Sequence, residues 1–204
     1  MRYTWLFVLL FLVGCSSPSH KGAIKYYQFS SADRTMLQRD IKSSPFILQI
    51  NPVHLEGLVN QRGIVMQLPD HQMYAANYHV WADLPGNMLT NTAQRQLLNR
   101  LPQWLVVKSD ALHTDDSQQA FYQLDIRLNE FNGFATNTAR VSGIWQLSRV
   151  NNSGKIAIVQ LHRFHQEVPL KADGYVALVA ALQLGWQQVL QQVSQNIAAL
   201  HTAQ

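Results

Sequence analysis

Between Tyr122 and Leu200 the hydrophobic period changes once, and that change decides most of what the chain can become. Tyr122, Leu124, Ile126 and Leu128 alternate with Gln123, Asp125, Arg127 and Asn129, giving a strand with one apolar and one wet face. Ala139, Val141, Gly143, Trp145 and Leu147 repeat the pattern against Arg140, Ser142 and Gln146, and Asn151-Asn152-Ser153-Gly154 leads into Lys155 to Glu167. These runs predict a three-stranded antiparallel meander, with Asn132-Gly133 as the turn between its first two strands. From Tyr175 the spacing becomes helical: Leu178, Val179, Leu182, Trp186, Val189, Leu190, Val193, Ile197 and Leu200 form one stripe. A one-faced sheet and a one-striped helix each need a cover, so the helix is expected across the meander. Each large side chain gains ~1.5–3 kcal/mol on burial, which makes this contact a major part of the stability.

Upstream signals are shorter. Tyr26-Tyr27-Gln28-Phe29 reads as a first strand, Ser30 to Ser44 as a polar loop, and Phe46 to Ile50 as a second strand stopped at Pro52. Leu55 to Arg62 reads as a connection. Gly63 to Leu68 and Met73 to Ala76 flank Pro69-Asp70-His71, which predicts a hairpin. Asp83 is the expected N-cap of a helix with Pro85 in its first turn, Leu89, Ala93, Leu97 and Leu101 on one face, and Pro102 at its end. Trp104 to Val107 makes another short strand, and Ser109 to Gln119 a surface loop. The expected fold class is therefore α+β: an antiparallel sheet, made of a hairpin and a meander, packed against a mid-chain helix and a long C-terminal helix.

The first fifteen residues set the compartment. Arg2 supplies a positive start, and Trp5 to Val13 is an apolar run too short to hold across ~30 Å of hydrocarbon. Leu12-Val13-Gly14-Cys15 resembles the lipobox of bacterial lipoproteins, so residues 1–14 are expected to be cleaved between Gly14 and Cys15 and Cys15 to carry acyl chains such as palmitate. Each buried methylene contributes ~0.8 kcal/mol, so two or three chains anchor firmly. Residues 15–25, small and polar around Pro18 and Gly22, form a tether, and residues 26–201 a single periplasmic domain. Ser16, rather than Asp, after the cysteine favours the outer membrane. The sequence has only this one Cys, so no intrachain disulfide is expected. The formal charge of +4 is spread without a Lys/Arg cluster, so no nucleic-acid partner is expected.

Catalytic and metal signatures are thin. There is no Gly-x-Ser-x-Gly elbow, phosphate loop or His-Glu-x-x-His. Ser142 sits on a strand as a surface or hydrogen-bonded residue. His162 and His165, three apart on a strand, point to opposite faces, and the Asp115-Asp116 pair lacks a calcium-loop repeat. No catalytic residue, metal or cofactor is expected. The tryptophans Trp81, Trp104, Trp145 and Trp186 are read as core anchors. The candidates for binding are elsewhere. No Asp, Glu, Lys or Arg follows Asp173, and the outer face of the C-terminal helix carries Gln183, Gln187, Gln188, Gln191, Gln192 and Gln195. An uncharged face forgoes the usual i, i+4 ion pairs, which fits contact with a protein, although an ordinary solvated face stays open. The candidate partner interface is Gln187, Gln191 and Gln195 with Arg127 and Arg140 of the meander; a symmetric contact in a homo-oligomer would use the same surface.

Tyr26-Tyr27-Gln28-Phe29 after a lipidated Cys, Gly63-Ile64-Val65 leading to Trp81-Ala82, Leu101-Pro102-Gln103-Trp104, Glu130-Phe131-Asn132-Gly133 and Ser142-Gly143-Ile144-Trp145 together resemble the PqiC (YmbA) family of ABC-type transport auxiliary lipoproteins. The resemblance implies an outer-membrane lipoprotein facing the periplasm. It would be a non-enzymatic partner of an MCE-domain protein of an ABC-type or PqiAB-like system, in a route for lipids between two membranes. Alternatives are a carrier that binds acyl chains itself and an envelope hydrolase.

Overall fold

A computed structural model of the chain describes residues 22–30, 44–109, 120–135 and 137–202. Nine strands and two α-helices follow in the order β1 (Lys25–Tyr27), β2 (Phe46–Ile50), β3 (His54–Leu55), β4 (Gly63–Gln67), β5 (Met73–Trp81), α1 (Pro85–Arg100), β6 (Trp104–Lys108), β7 (Phe121–Phe134), β8 (Thr138–Val150), β9 (Ile156–Pro169) and α2 (Tyr175–Thr202). The α+β class and both helices are as expected. Among the described residues no helix is long and apolar enough to cross a membrane.

The sheet is organised on β7, whose 14 residues no single short strand could flank. On one side it pairs antiparallel with β8, which pairs with β9, completing the meander. Along the other side β2, β3 and β4 line up one after another, all parallel to it. Here the structure departs from an all-antiparallel sheet. The hairpin β4–β5 and the meander are antiparallel, but five further pairings are parallel: β1–β5, β2–β6, β2–β7, β3–β7 and β4–β7. Residues 46–67 run beside β7 in one direction. Pro52, with no N–H to donate, separates β2 from β3, while Asn51 and Glu56 donate backbone N–H groups to the Leu124 and Leu128 carbonyls at 3.0 and 2.9 Å. The segment read as a connection, Leu55 to Arg62, therefore begins on the last residue of β3 and contains a 3-10 turn at Gly57–Val59.

Two local readings also change. Asn132 and Gly133 lie inside β7 rather than in a turn, because β7 continues far enough to pair Met66 with Gly133 and Gln67 with Phe134. The reversal falls after Phe134, where Asn137 takes the left-handed conformation at φ 55°. Leu84, not Asp83, is the residue before α1; the Asp83 carboxylate accepts the Leu84 N–H at 2.7 Å and so fixes the turn into the helix from one position earlier.

Both helices lie on one face of the sheet. α1 packs on β6, β2 and β3, α2 on β7, β8 and β9, and the helices touch each other. Leu89, Ala93 and Leu97 of α1 and Leu182, Trp186, Val189, Leu190, Val193 and Ile197 of α2 are completely buried in one core with Leu124, Val141 and Leu147. Trp81, Trp104, Trp145 and Trp186 all belong to that core, as expected. Phe29, Trp81 and Phe131, from three of the sequence motifs, meet in it: Trp81 stacks on Phe131 at 5.5 Å and meets Phe29 edge-on at 6.0 Å.

Candidate docking surfaces

α2 sits deep in the fold, and what it leaves exposed is a narrow strip. Gly185 allows the close approach: a Cβ there would stand 2.9 Å from Val141 Cγ2 and 3.4 Å from Val168 Cγ2. The strip that remains carries exposed Val176, Ala180, Leu184, Gln191 and Gln195, with Gln187 half-buried. Gln183 shows what an amide on this helix can do. It accepts the Ser30 N–H at 3.0 Å and donates to the Ser30 carbonyl at 3.1 Å, holding both polar groups of one backbone unit as a neighbouring strand would. Next to it, a groove of about 320 Å³ runs between the helix at Ala177, Ala180, Leu184 and Gln187 and the end of β9 at Val168 and Pro169.

The arginines of the candidate interface lie on the other side of the sheet. Leu124, Ile126, Leu128 and Val141 face the helices, so alternation turns Arg127 and Arg140 away from them. The five predicted interface residues thus occupy two surfaces, one on the α2 strip and one on the uncovered sheet face. Arg140 is already engaged: its Nε lies 2.6 Å from Glu167 Oε1, and its guanidinium sits 3.6 Å above the Phe134 ring. Arg127 is opposite Ile144, which is opposite Arg163 on β9. Among the described residues neither Arg127 nor Arg163 has a carboxylate within ion-pair distance. Arg163 was not singled out by sequence, since only the cross-strand register places it beside Arg127. The two arginines border an open depression of about 590 Å³ together with Glu56, Glu130, Ser142 and His165.

Ser142 Oγ and His165 Nδ1 share a 2.6 Å hydrogen bond, and His165 Nε2 lies 3.5 Å from Glu167 Oε1. The composition resembles a nucleophile, base and orienting acid, but the geometry works against that chemistry. Glu167 is held by Arg140, and β8 is paired on both sides, so its N–H groups point along the sheet and do not converge on an oxyanion. His162 faces the opposite way, stacked on Trp145 at 4.6 Å, as the strand period predicts. Among the described residues no group of three His, Cys, Asp or Glu side chains could hold a metal.

A second cluster joins β1, β5 and α2. Tyr27 Oη and His79 Nδ1 are hydrogen-bonded at 2.8 Å, and the His79 ring stacks on Tyr175 at 3.9 Å. Burial, then the neighbouring Tyr74 and Tyr27 phenols, push the Tyr175 hydroxyl above the usual phenol range. Gly14, Cys15, residues 16–21 and Asp115-Asp116 lie outside the described residues.

The described residues thus form an α+β domain with one face covered by helices and one face that no described helix covers. Its particular kind follows from comparison with known proteins. Residues 27–194 match the family described as the ABC-type transport auxiliary lipoprotein component, and the chain belongs to that family. A search among curated proteins gives no match. Among solved structures, a crystal structure of an uncharacterised protein is 26% identical with a TM-score of 0.69, covering 86% of this chain and 99% of its own. Protein XCC0632 of Xanthomonas campestris, assigned to DUF330, shares the fold at 12% identity and a TM-score of 0.60, with the same coverage of each chain.

Proposed function

We propose that this protein is an outer-membrane lipoprotein, anchored through Cys15 and facing the periplasm, that docks an MCE-domain component of an intermembrane lipid transport system. The observation that carries this reading is the α2 strip: an uncharged helix face with exposed Gln191 and Gln195 beside an apolar groove, in a family of transport auxiliary lipoproteins. Removing water from neutral amides costs far less than removing it from ions, so such a face can be buried against a partner and still offer hydrogen bonds that fix its register. Arg127 and Arg163 add a second, charged patch on the bare sheet face, shared with Glu56 and Glu130. The space beneath α2 favours docking over carriage of an acyl chain. Trp186, Val189, Leu190 and Val193 are completely buried there, and Gly185 brings the helix down onto Val141 and Val168.

The test is crosslinking mass spectrometry on native envelopes with a photoreactive residue in place of Gln191 or Arg127, in wild type and in Cys15→Ala. Crosslinks to an MCE-domain protein that weaken in Cys15→Ala are the expected result. Co-purified lipid with no protein crosslink at either position would make the domain a lipid carrier. Self-crosslinks alone would assign the α2 strip to a homo-oligomer.

A further inference from the structure

On β1 and β5, side chains alternate between the two faces of the sheet. Tyr27 and His79 turn toward α2, where both meet the Tyr175 ring. The residues between them turn the other way: Tyr26, paired with Val80, and Ile24 and Tyr78, each one step before the Lys25–His79 pair. Ile24 is 51% exposed, Tyr26 63% and Tyr78 46%, and they adjoin one another on the outer edge of the bare face. Single exposed apolar residues are commonplace, but three on two paired strands, with half-buried Val80 among them, form a patch that calls for a cover.

Chain length indicates what covers it. Ile24 stands nine residues after Cys15, so the connection reaches at most ~32 Å when fully extended and spans ~15–18 Å as a flexible coil. An anchor at Cys15 therefore keeps this edge within ~32 Å of the bilayer surface. Side-chain chemistry agrees. Tyrosine settles where the ring meets hydrocarbon and the hydroxyl meets water. Neither β1 nor β5 contains an Asp or Glu to repel anionic headgroups.

We propose that Ile24, Tyr26, Tyr78 and Val80 rest in the headgroup layer of the membrane that holds the acylated Cys15, so that the domain is oriented on that membrane and does not swing freely on its tether. This rests on reading Cys15 as the lipid anchor. β9 lies five strand spacings away, ~24 Å across the sheet.

Because Cys15 is the chain's only cysteine and is acylated, a second cysteine can be spin-labelled selectively. The full acylated chain carrying Tyr26→Cys, Tyr78→Cys or Gln191→Cys is placed on vesicles of phosphatidylethanolamine and phosphatidylglycerol, and collision of each label with a water-soluble nickel chelate is measured. The reference is the same label in the Cys15→Ala chain free in buffer. A several-fold loss of nickel accessibility at positions 26 and 78, with none at 191, is expected. Full accessibility at 26 and 78 while the protein sediments with the vesicles overturns the proposal and leaves the anchor intact. Equal protection in the vesicle-free chain also overturns it, since a second copy would then be the cover. Failure to sediment refutes the anchor itself, and the orientation with it.

Discussion

The seat of α2 makes a prediction whose sign depends on one neighbour. In a free helix, Gly185→Ala would stabilise by ~1 kcal/mol through helix propensity. Here the new methyl meets Val141 Cγ2 at 2.9 Å, closer than such carbons tolerate, and Val141 is a β-branched residue on a fully paired interior strand. Overpacking of this kind costs ~1–3 kcal/mol, so Gly185→Ala is expected to leave the domain level or up to ~2 kcal/mol less stable. Val141→Ala alone removes two buried methyl groups and should cost ~2 kcal/mol. In the Val141→Ala background, the same glycine substitution enters vacated space, keeps its propensity gain and should stabilise by ~1–2 kcal/mol. Urea unfolding of the four chains gives the coupling energy directly, expected at ~1–4 kcal/mol in favour of the double variant. A Gly185→Ala chain more stable than wild type by the full ~1 kcal/mol, with no coupling to Val141, would refute the close seating of the helix.

Other expectations follow from single sites. Trp186→Ala, at a completely buried side chain, should cost ~3–5 kcal/mol and lower Tm by ~6–20 °C in calorimetry. Gly143→Ala should be worse than Gly185→Ala, because its Cβ would collide with the Arg127 backbone carbonyl, which cannot rotate away; failure to accumulate folded protein, or a loss above ~3 kcal/mol, is the expected readout. Tyr175 is held protonated in the fold, so its contribution is fully present below the unfolded phenol value near ~10 and is lost as pH climbs past it toward the higher folded value. Urea midpoints should therefore fall at alkaline pH, and less steeply in Tyr175→Phe. Gln191→Glu with Gln195→Glu should leave stability within about 0.5 kcal/mol, since both side chains are exposed, yet weaken capture of the transport partner in a pull-down.

What the sequence made legible was whatever is periodic and local. The meander and α2 announce themselves because each strand pairs with the next and the helix stripe repeats over 28 residues. The parallel pairings do not, because β2, β3 and β4 each have five residues or fewer and meet β7 only after a separation of many residues. Asn132-Gly133 looked like a turn because that dipeptide favours one. The glycine instead lies against the Met66 thioether and Leu178, which a Cβ there would push aside. At the candidate surfaces the same division holds. The uncharged face of α2 was readable from composition, whereas the capture of Arg140 by Glu167 and Phe134 and the pairing of Arg127 with Arg163 across Ile144 depend on register alone.

The topology also suits the two contacts proposed above. β1 and β9 are outer strands on opposite sides of β7, β6 being a third beside β2, and both β1 and β9 carry or adjoin exposed apolar groups: Ile24 and Tyr26 beside β5, and Ile156, Ile158 and Leu161 on β9. An edge strand with apolar side chains and unpaired backbone groups invites added strands unless something covers it. Hydrocarbon could not satisfy the backbone of a 14-residue edge such as β9. A wet headgroup layer can satisfy the three-residue β1. The two edges therefore suit different neighbours, lipid for β1 and polypeptide for β9. Charged substitutions at Ile158 and Leu161 should then disturb assembly with protein while leaving vesicle association unchanged, and substitutions at Tyr26 and Tyr78 should leave assembly intact while freeing the domain from the membrane surface.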